Sequence, residues 1–167
     1  MRPSLAALRR PLEAAPMIPL TAAGRQPLFF FGTLMDLDVL AYVLARPIDL
    51  DDLEPAAITG FRRVGVRGAS YPVLVPEAKG RVDGRLLHRA TRRDVLRINH
   101  YESEEYRAEL HQVATTAGEV HTAWLHLGLD GLEATWRPWR LADWQAQHKH
   151  GFFAACDGWM ADCPELD

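Results

Sequence analysis

Short apolar runs in the first half of the chain predict several strands and one helix. Residues 28–31 are all apolar and end at Gly32, as expected for a buried strand that stops at a turn. Asp36 then opens a stretch in which apolar residues recur at helical spacing. Residues 57–61 and 64–66 have the composition of two strand segments. Residues 71–76 predict a further strand at a sheet edge or end, because prolines bracket it.

A strand and a helix are predicted next. Residues 82–88 alternate between apolar and polar side chains, which is typical of a half-buried strand. Thr91 is followed three residues later by Asp94, a pattern resembling a capping box. The pattern predicts that a short helix begins there.

A hairpin and a long helix complete the pattern. Residues 106–115 and 119–127 predict two strands joined around Gly118, and residues 139–160 predict a helix that Gly151 should weaken or bend. The strands follow one another directly, without repeats and without regular alternation of strand and helix. We therefore predict an α+β domain in which a mixed or antiparallel sheet, open or closed, carries two or three helices outside it.

Residues 1–26 differ from the rest of the chain in composition. They contain four arginines against one acid, Glu13, and four prolines that interrupt any long amphipathic helix. They also lack the continuous apolar core of a secretory signal. We expect a poorly ordered tail over residues 1–26, or a true start at Met17, and a single domain over residues 27–167.

Composition narrows the classes of partner. The chain has 167 residues, of which 48% are hydrophobic and 25% charged, as in ordinary globular domains. A net charge of −3 without any basic block argues against nucleic acid or an anionic membrane as partner. Cys156 and Cys163 are too few for a disulfide framework, which favours a reducing, cytoplasmic location. The sequence gives no indication of the oligomeric state.

No motif for a metal or a cofactor is present. None of the seven histidines has a metal-binding spacing such as His-Glu-x-x-His, and His121 and His126 should point to opposite faces of one strand. A Gly-x-Ser-x-Gly elbow and a glycine-rich phosphate loop are absent as well. We therefore expect neither a metal nor a cofactor.

Two junctions between predicted elements contain candidate functional groups. The turn at Gly32-Thr33 leaves backbone N–H groups unpaired, and such donors can hold a carboxylate or another oxyanion. Glu102 follows an inward-facing tyrosine at a helix end, so its carboxylate can enter a pocket, where burial would raise its pKa as a general base requires. Glu104 and Glu105 are predicted to be solvated. An ordinary turn and an acidic loop are the alternatives.

Four short motifs follow one another in a recognisable order. They are Phe31-Gly32-Thr33-Leu34, then Tyr71-Pro72-Val73-Leu74, then Val82-Asp83-Gly84-Arg85-Leu86, and finally Ile98-Asn99-His100-Tyr101-Glu102-Ser103 followed by Tyr106-Arg107. Singly, each motif is short enough to arise by chance. Together and in sequence order they are specific.

These motifs resemble those of the gamma-glutamylcyclotransferase-like family, which includes the gamma-glutamylamine cyclotransferases. The family motifs are Tyr-Gly-Thr-Leu, Tyr-Pro-x-Leu, Val-x-Gly-x-Leu, and Leu-Asp-x-aromatic-Glu-Gly with Tyr-x-Arg or Tyr-Arg after it. The resemblance spans about residues 28–127. Phe31, Asn99 and Ser103 depart from the tyrosine, aspartate and glycine of the family.

The resemblance implies a fold, an activity and a set of site residues. The fold would be a small mixed β-barrel with flanking helices and a cavity at one end. The activity would be cyclisation of a small-molecule gamma-glutamyl amine or peptide to 5-oxoproline with release of the amine, without a cofactor. By resemblance, Glu102 would be the general acid and base, and the substrate would be bound by Phe31, Gly32, Thr33, Leu34, Tyr71 and Tyr106.

Two other classes of function remain open from the sequence. The same cavity could belong to a non-catalytic domain that binds a small acidic metabolite. All five tryptophans lie at or after Trp124, so a tryptophan-rich end could instead dock a partner protein.

Overall fold

A computed structural model describes residues 10–102, 105–128 and 131–166. The strands are β1 (Glu13–Ala15), β2 (Leu28–Phe30), β3 (Leu53–Val66), β4 (Pro72–Leu87), β5 (Tyr106–Thr115), β6 (Val120–Gly128) and β7 (Ala134–Pro138). The α-helices are α1 (Leu37–Leu44), α2 (Arg92–Glu102), α3 (Leu141–Gln147) and α4 (Lys149–Ala161). Short 3₁₀ helices cover Leu20–Ala22, Thr33–Met35 and Leu50–Asp52.

Five of the strands close into a barrel. Strand β2 pairs antiparallel with β4 and parallel with β6, β4 pairs with β3, and β5 pairs with β6. A short pairing between β3 and β5, at Ala56 with Thr115, closes the ring. Strands β1 and β7 extend it along β5 and β3. The predicted α+β fold, a small mixed barrel with helices outside, is confirmed.

Alternation along the strands separates the barrel interior from the layer beneath the helices. Successive side chains of a strand point to opposite faces, so Phe29 lies in the interior cluster while Leu28 and Phe30 pack towards the helices. The interior cluster also contains Ile58, Leu86, Leu125 and nearby apolar residues. Helices α1 and α2 bury apolar side chains against the outer face of the barrel.

Side-chain caps fix the starts of the first two helices. Asp36 accepts hydrogen bonds from the backbone N–H groups of Asp38 (2.9 Å) and Val39 (3.0 Å), which satisfies donors that α1 leaves unpaired. Thr91 and Asp94 exchange hydrogen bonds between side chain and backbone, at 2.9 and 3.1 Å. Both predicted helix starts are confirmed.

Two boundaries differ from the sequence-based prediction. The strands predicted over residues 71–76 and 82–88 are one continuous strand, β4, because pairing with β3 continues on both sides of a register shift, where the ladder passes from Arg81 to Pro76. The helix predicted over residues 139–160 is two helices. Its break falls at His148, where φ is −124°, and Gly151 lies inside α4.

The prediction of a poorly ordered tail over residues 1–26 is wrong for residues 10–26. Strand β1 pairs with β5, and Ile18 is 1% exposed in the core. The side chain of Asn99 accepts from the N–H of Ile18 and donates to its carbonyl, each at 2.9 Å. A strand partner and a buried anchor hold this segment against the domain. Residues 1–9 lie outside the described part of the chain.

Candidate active site

The barrel has a cavity of about 510 Å³ at the end where β2 finishes and β4 and β5 begin. Its lining includes every site residue predicted above, namely Phe31, Gly32, Thr33, Leu34, Tyr71, Glu102 and Tyr106. These residues come from four separate stretches of sequence. Closure of the barrel and the packing of α2 across its end bring them together.

Glu102 is the last residue of α2 and lines the cavity. Val95 and Ile98 of the same helix are fully buried, so the packed face of α2 sets where its last turn lies. Burial raises the pKa of the Glu102 carboxyl from its ordinary 4.5 to about 8. Within the described residues, no hydrogen bond or ion pair to this carboxyl offsets that effect. It therefore has the pKa of a group that exchanges protons near neutral pH.

The segment from Phe31 to Leu34 is held rigidly at the cavity wall. The hydroxyl groups of Thr33 and Tyr101 form a hydrogen bond of 2.7 Å. Arg63 donates from Nη1 to the carbonyl oxygen of Phe31 at 2.9 Å. A Cβ at Gly32 would lie 3.1 Å from Cγ of Pro72, so this position favours glycine because the chain passes close to the proline.

This segment also carries free backbone donors. The N–H groups of Met35 and Asp36 close the short 3₁₀ turn onto Gly32 and Thr33. No hydrogen bond among the described residues uses the N–H groups of Gly32, Thr33 or Leu34. Unpaired donors were expected at a strand-to-helix junction, and here they belong to residues that line the cavity.

Two tyrosines form another part of the wall. Tyr71 donates to Oε2 of Glu105 at 2.6 Å, and its ring packs edge-on against Tyr106 with centroids 6.0 Å apart. Burial and the hydrogen bond to Glu105 raise the pKa of Tyr71 to about 12, and burial raises the pKa of Tyr106 as well. Both phenols therefore stay protonated, and their protons bond within the protein: Tyr71 donates to Glu105 and Tyr106 to the carbonyl oxygen of Pro72 at 3.3 Å.

The structure places Glu105 at the exposed rim of the cavity, in keeping with its predicted solvation. The same expectation for Glu104 falls outside the described residues, as does Ser103.

His126 lines the cavity and was not predicted from the sequence. Burial lowers its pKa to about 3, so the imidazole is neutral. Its Nε2–H donates to Oδ1 of Asn99 at 3.2 Å, while the amide of Asn99 donates to Ile18. Asn99 needs both a donor and an acceptor in this place, which an aspartate would not supply. A lone histidine on a strand carries no local signal of this role.

The tryptophans are distributed over the molecule and do not form one end of it. Trp124 and Trp144 are buried in the core, at 2% and 1% exposure. Trp136 is exposed beside Arg62, with the guanidinium 5.6 Å from its ring centroid. Trp159 of α4 is exposed and lines the cavity, and its carbonyl bonds to His100 at 2.7 Å.

Within the described chain, the cavity lining contains acidic side chains but no lysine or arginine. Glu102 and Glu105 contribute the carboxyl groups. The free N–H groups of residues 32–34 are its neutral donors, and the tyrosine hydroxyls, whose protons are already bonded, offer acceptor oxygen atoms. The cavity can therefore hold a small molecule that carries both an ammonium group and polar oxygen atoms.

Comparison with known proteins agrees with this architecture. The family model described as "Gamma-glutamyl cyclotransferase, AIG2-like" matches residues 28–146, and the chain belongs to this family. Relatives include AIG2-like protein A of Arabidopsis thaliana, 26% identical over 126 residues that make up 74% of each chain. AIG2-like protein D of the same plant is 27% identical over 130 residues, 74% of this chain and 82% of its own.

Two solution structures of Arabidopsis thaliana proteins share the fold. One superposes with a TM-score of 0.59 at 22% identity, covering 85% of this chain and 95% of its own. The other has a TM-score of 0.60 at 19% identity and covers 80% of each chain. In the described ranges 10–102, 105–128 and 131–166, no helix combines the length and apolarity needed to cross a membrane.

Proposed function

We propose that this protein is a gamma-glutamyl cyclotransferase. The α-amine nitrogen of a gamma-glutamyl group attacks the side-chain carbonyl carbon of the same group, forming the ring bond of 5-oxoproline. The bond between that carbon and the leaving nitrogen breaks. Glu102 takes a proton from the attacking amine and returns one to the leaving amine. The reaction consumes no water and needs no external acid or base.

The half-buried position of Glu102 in the cavity is the observation that carries this proposal. A carboxyl with a pKa of about 8 is a much stronger base than an exposed glutamate, and so accepts a proton from an ammonium group more readily. No lysine or arginine of the described residues lines the cavity, so no permanent positive charge there would repel that ammonium. Arrival of the substrate cation also favours the ionised form of Glu102, so binding prepares the base.

The segment from Gly32 to Leu34 supplies the complementary groups. Its free N–H donors are suited to the substrate carboxylate and to the oxygen of the carbonyl under attack. Tyr101, which also lines the cavity, and Arg63, which lies outside its lining, each form a hydrogen bond to this segment and keep it in one geometry. Tyr71 and Tyr106 add protonated hydroxyl groups and apolar ring surface.

Cyclisation of the substrate requires little beyond positioning and proton transfer. Ring closure is already intramolecular, so the cavity has to hold the chain in the folded conformer and exclude competing water. A positioned base contributes about 10²–10⁴-fold in rate, and oxyanion donors contribute a comparable factor.

The test is product formation by the purified full chain. Gamma-glutamyl amines and gamma-glutamyl dipeptides are incubated with the protein, and 5-oxoproline is measured by mass spectrometry. We expect turnover that falls by about 10²–10⁴-fold in Glu102→Gln. Glu77→Gln is the matched control. Glu77 is exposed on β4, so this substitution makes the same chemical change away from the cavity.

Other outcomes of this assay are informative. Saturable binding of these compounds without 5-oxoproline would favour a non-catalytic binding domain. Turnover that survives in Glu102→Gln would remove Glu102 from the mechanism.

A further inference from the structure

A second cluster of chemical groups lies at the other end of the barrel. It consists of Glu54 near the start of β3, His88 just after β4, and His121 near the start of β6. Strand β4 begins at the cavity and ends at this cluster. His121 precedes the cavity residue His126 by five positions on β6, which is about 16 Å of extended strand. The cluster is therefore separate from the site described above.

The three side chains converge on one point. One potential ligand atom from each lies within 4.8 Å of the others. Nε2 of His88 is 2.6 Å from Oε2 of Glu54, and the two imidazole rings pack with centroids 4.9 Å apart. The side chains of Glu54, His88 and His121 are 33%, 33% and 28% exposed, so the point is accessible yet partly enclosed.

One atom of the cluster lacks a partner. Nε2 of His121 is shielded from solvent and forms no hydrogen bond within the described residues. The nearest acid is Glu119, whose Oε2 is 3.4 Å away and forms an ion pair only when the histidine is charged. A shielded polar atom without a partner is uncommon in folded proteins and calls for an explanation.

We propose that Glu54, His88 and His121 bind a divalent transition-metal ion, with Zn²⁺ the best match. Two imidazoles and one carboxylate are an established zinc ligand set that leaves a fourth position open for water or another ligand. Imidazole nitrogen favours Zn²⁺ over Mg²⁺ or Ca²⁺, which prefer oxygen ligands alone.

The distances allow this with small movements. Ligands about 2.0–2.2 Å from a tetrahedral ion lie roughly 3.3–3.5 Å from one another. The contact between His88 and Glu54 therefore has to lengthen by somewhat under an ångström, while the widest separation, at most 4.8 Å, has to shorten. Side-chain rotation of half-exposed residues suffices for both.

The ion would join three strands that take part in closing the barrel. β3, β6 and the residue directly after β4 supply one ligand each, so binding cross-links parts of the chain that are far apart in sequence. Because the unfolded chain has no preformed site, the binding free energy adds to the stability of the fold. The inference does not depend on the proposed cyclotransferase activity.

The experiment measures binding of Zn²⁺ to the tag-free full chain after treatment with a chelator. Isothermal titration calorimetry gives stoichiometry and affinity, and Co²⁺ gives a visible absorption band that reports nitrogen and oxygen ligands. The variants are His88→Ala, His121→Ala and Glu54→Gln. His150→Ala is the control, because His150 is an exposed histidine of α4 outside the cluster. Circular dichroism checks that each variant folds.

We expect one equivalent of Zn²⁺ per chain, at least tenfold weaker binding in each cluster variant, and unchanged binding in His150→Ala. Glu54→Gln keeps the size of the side chain, so it remains informative if an alanine variant does not fold. A wild-type protein that binds no Zn²⁺, or cluster variants that bind it as tightly as wild type, would overturn the proposal. In that case the cluster is a hydrogen-bonded His–Glu pair with a second histidine packed against it.

Discussion

The Glu102→Gln variant links the chemistry of the cavity to the stability of the fold. Ionised Glu102 is unfavourable in the folded protein, since burial raises its pKa from 4.5 to about 8. Between these pH values the folded chain retains a proton that the unfolded chain has lost. Stability therefore falls as pH rises through this range. Glutamine has a similar shape and no charge to bury, so it removes this dependence.

The magnitude follows from the two pKa values. At about 1.36 kcal/mol for each pKa unit, the full cost of the ionised carboxyl is about 5 kcal/mol. Glu102 faces a cavity that admits water, and water stabilises part of its charge. We therefore expect Glu102→Gln to be more stable than wild type by about 1–3 kcal/mol above about pH 8, and nearly equal to it near pH 5.

Urea unfolding followed by tryptophan fluorescence measures this difference. Wild type, Glu102→Gln and Glu77→Gln are unfolded at several values between about pH 5 and about pH 9. Groups whose titration is unaffected by the substitution cancel in the difference between two variants. Glu77→Gln provides the same change at an exposed position, so its difference from wild type should stay flat with pH.

The result that refutes this reasoning is a difference between Glu102→Gln and wild type that does not grow with pH. It would mean that Glu102 ionises in the folded protein as easily as in water, and the argument for an activated base would fail with it. The combined expectation is specific: the same substitution removes turnover and stabilises the protein at alkaline pH, because the group is unfavourable to the fold.

Three further predictions test the site and its support. The ratio kcat/KM should rise with pH and level off above about pH 8, since Glu102 must lose its proton to act as a base; a profile that levels off near pH 5 would contradict this. Gly84→Ala should destabilise the fold by about 3 kcal/mol or more in urea unfolding, because the added Cβ would overlap the backbone of β2. Its control is Gly158→Ala, where the added Cβ meets open space and the change should be neutral or stabilising. Asp36→Ala should cost about 2–4 kcal/mol of thermal or urea stability, since it removes the cap of α1 and the partner of Lys149 in a partly buried ion pair. Asp38 is exposed, so Asp38→Ala should cost less than about 1 kcal/mol.

Position 84 gives a physical reason for one of the motifs. The third motif carries glycine there, and an added Cβ would lie 2.5 Å from Cζ of Phe29 and overlap the carbonyl oxygen of Phe30. Strand β2 runs antiparallel beside β4 and lies so close to position 84 that no side chain fits there. The glycine of this motif is therefore required by the packing of β2 against β4 next to the cavity.

Several elements were predictable because their signals are local. The apolar run at the start of β2, the Thr91–Asp94 cap of α2 and the hairpin of β5 and β6 depend on residues a few positions apart. The break at His148 and the merging of two predicted strands into β4 were not predictable in this way. The merged strand depends on pairing with β3, and the helices on either side of the break are tied to Asp36 through Gln145 and Lys149.

The amino-acid sequence by itself determined the class of fold, the family motifs and the identity of the carboxyl that ends α2. Only the tertiary structure decided that this carboxyl lies half-buried in a cavity, that His126 lines and Arg63 supports the same cavity, and that Ile18 is anchored by Asn99. The tertiary structure also brings Glu54, His88 and His121 together from separate strands or strand ends. The reason is physical: local preferences act over a few residues, whereas burial and side-chain encounters depend on closure of the barrel, which joins residues many tens of positions apart.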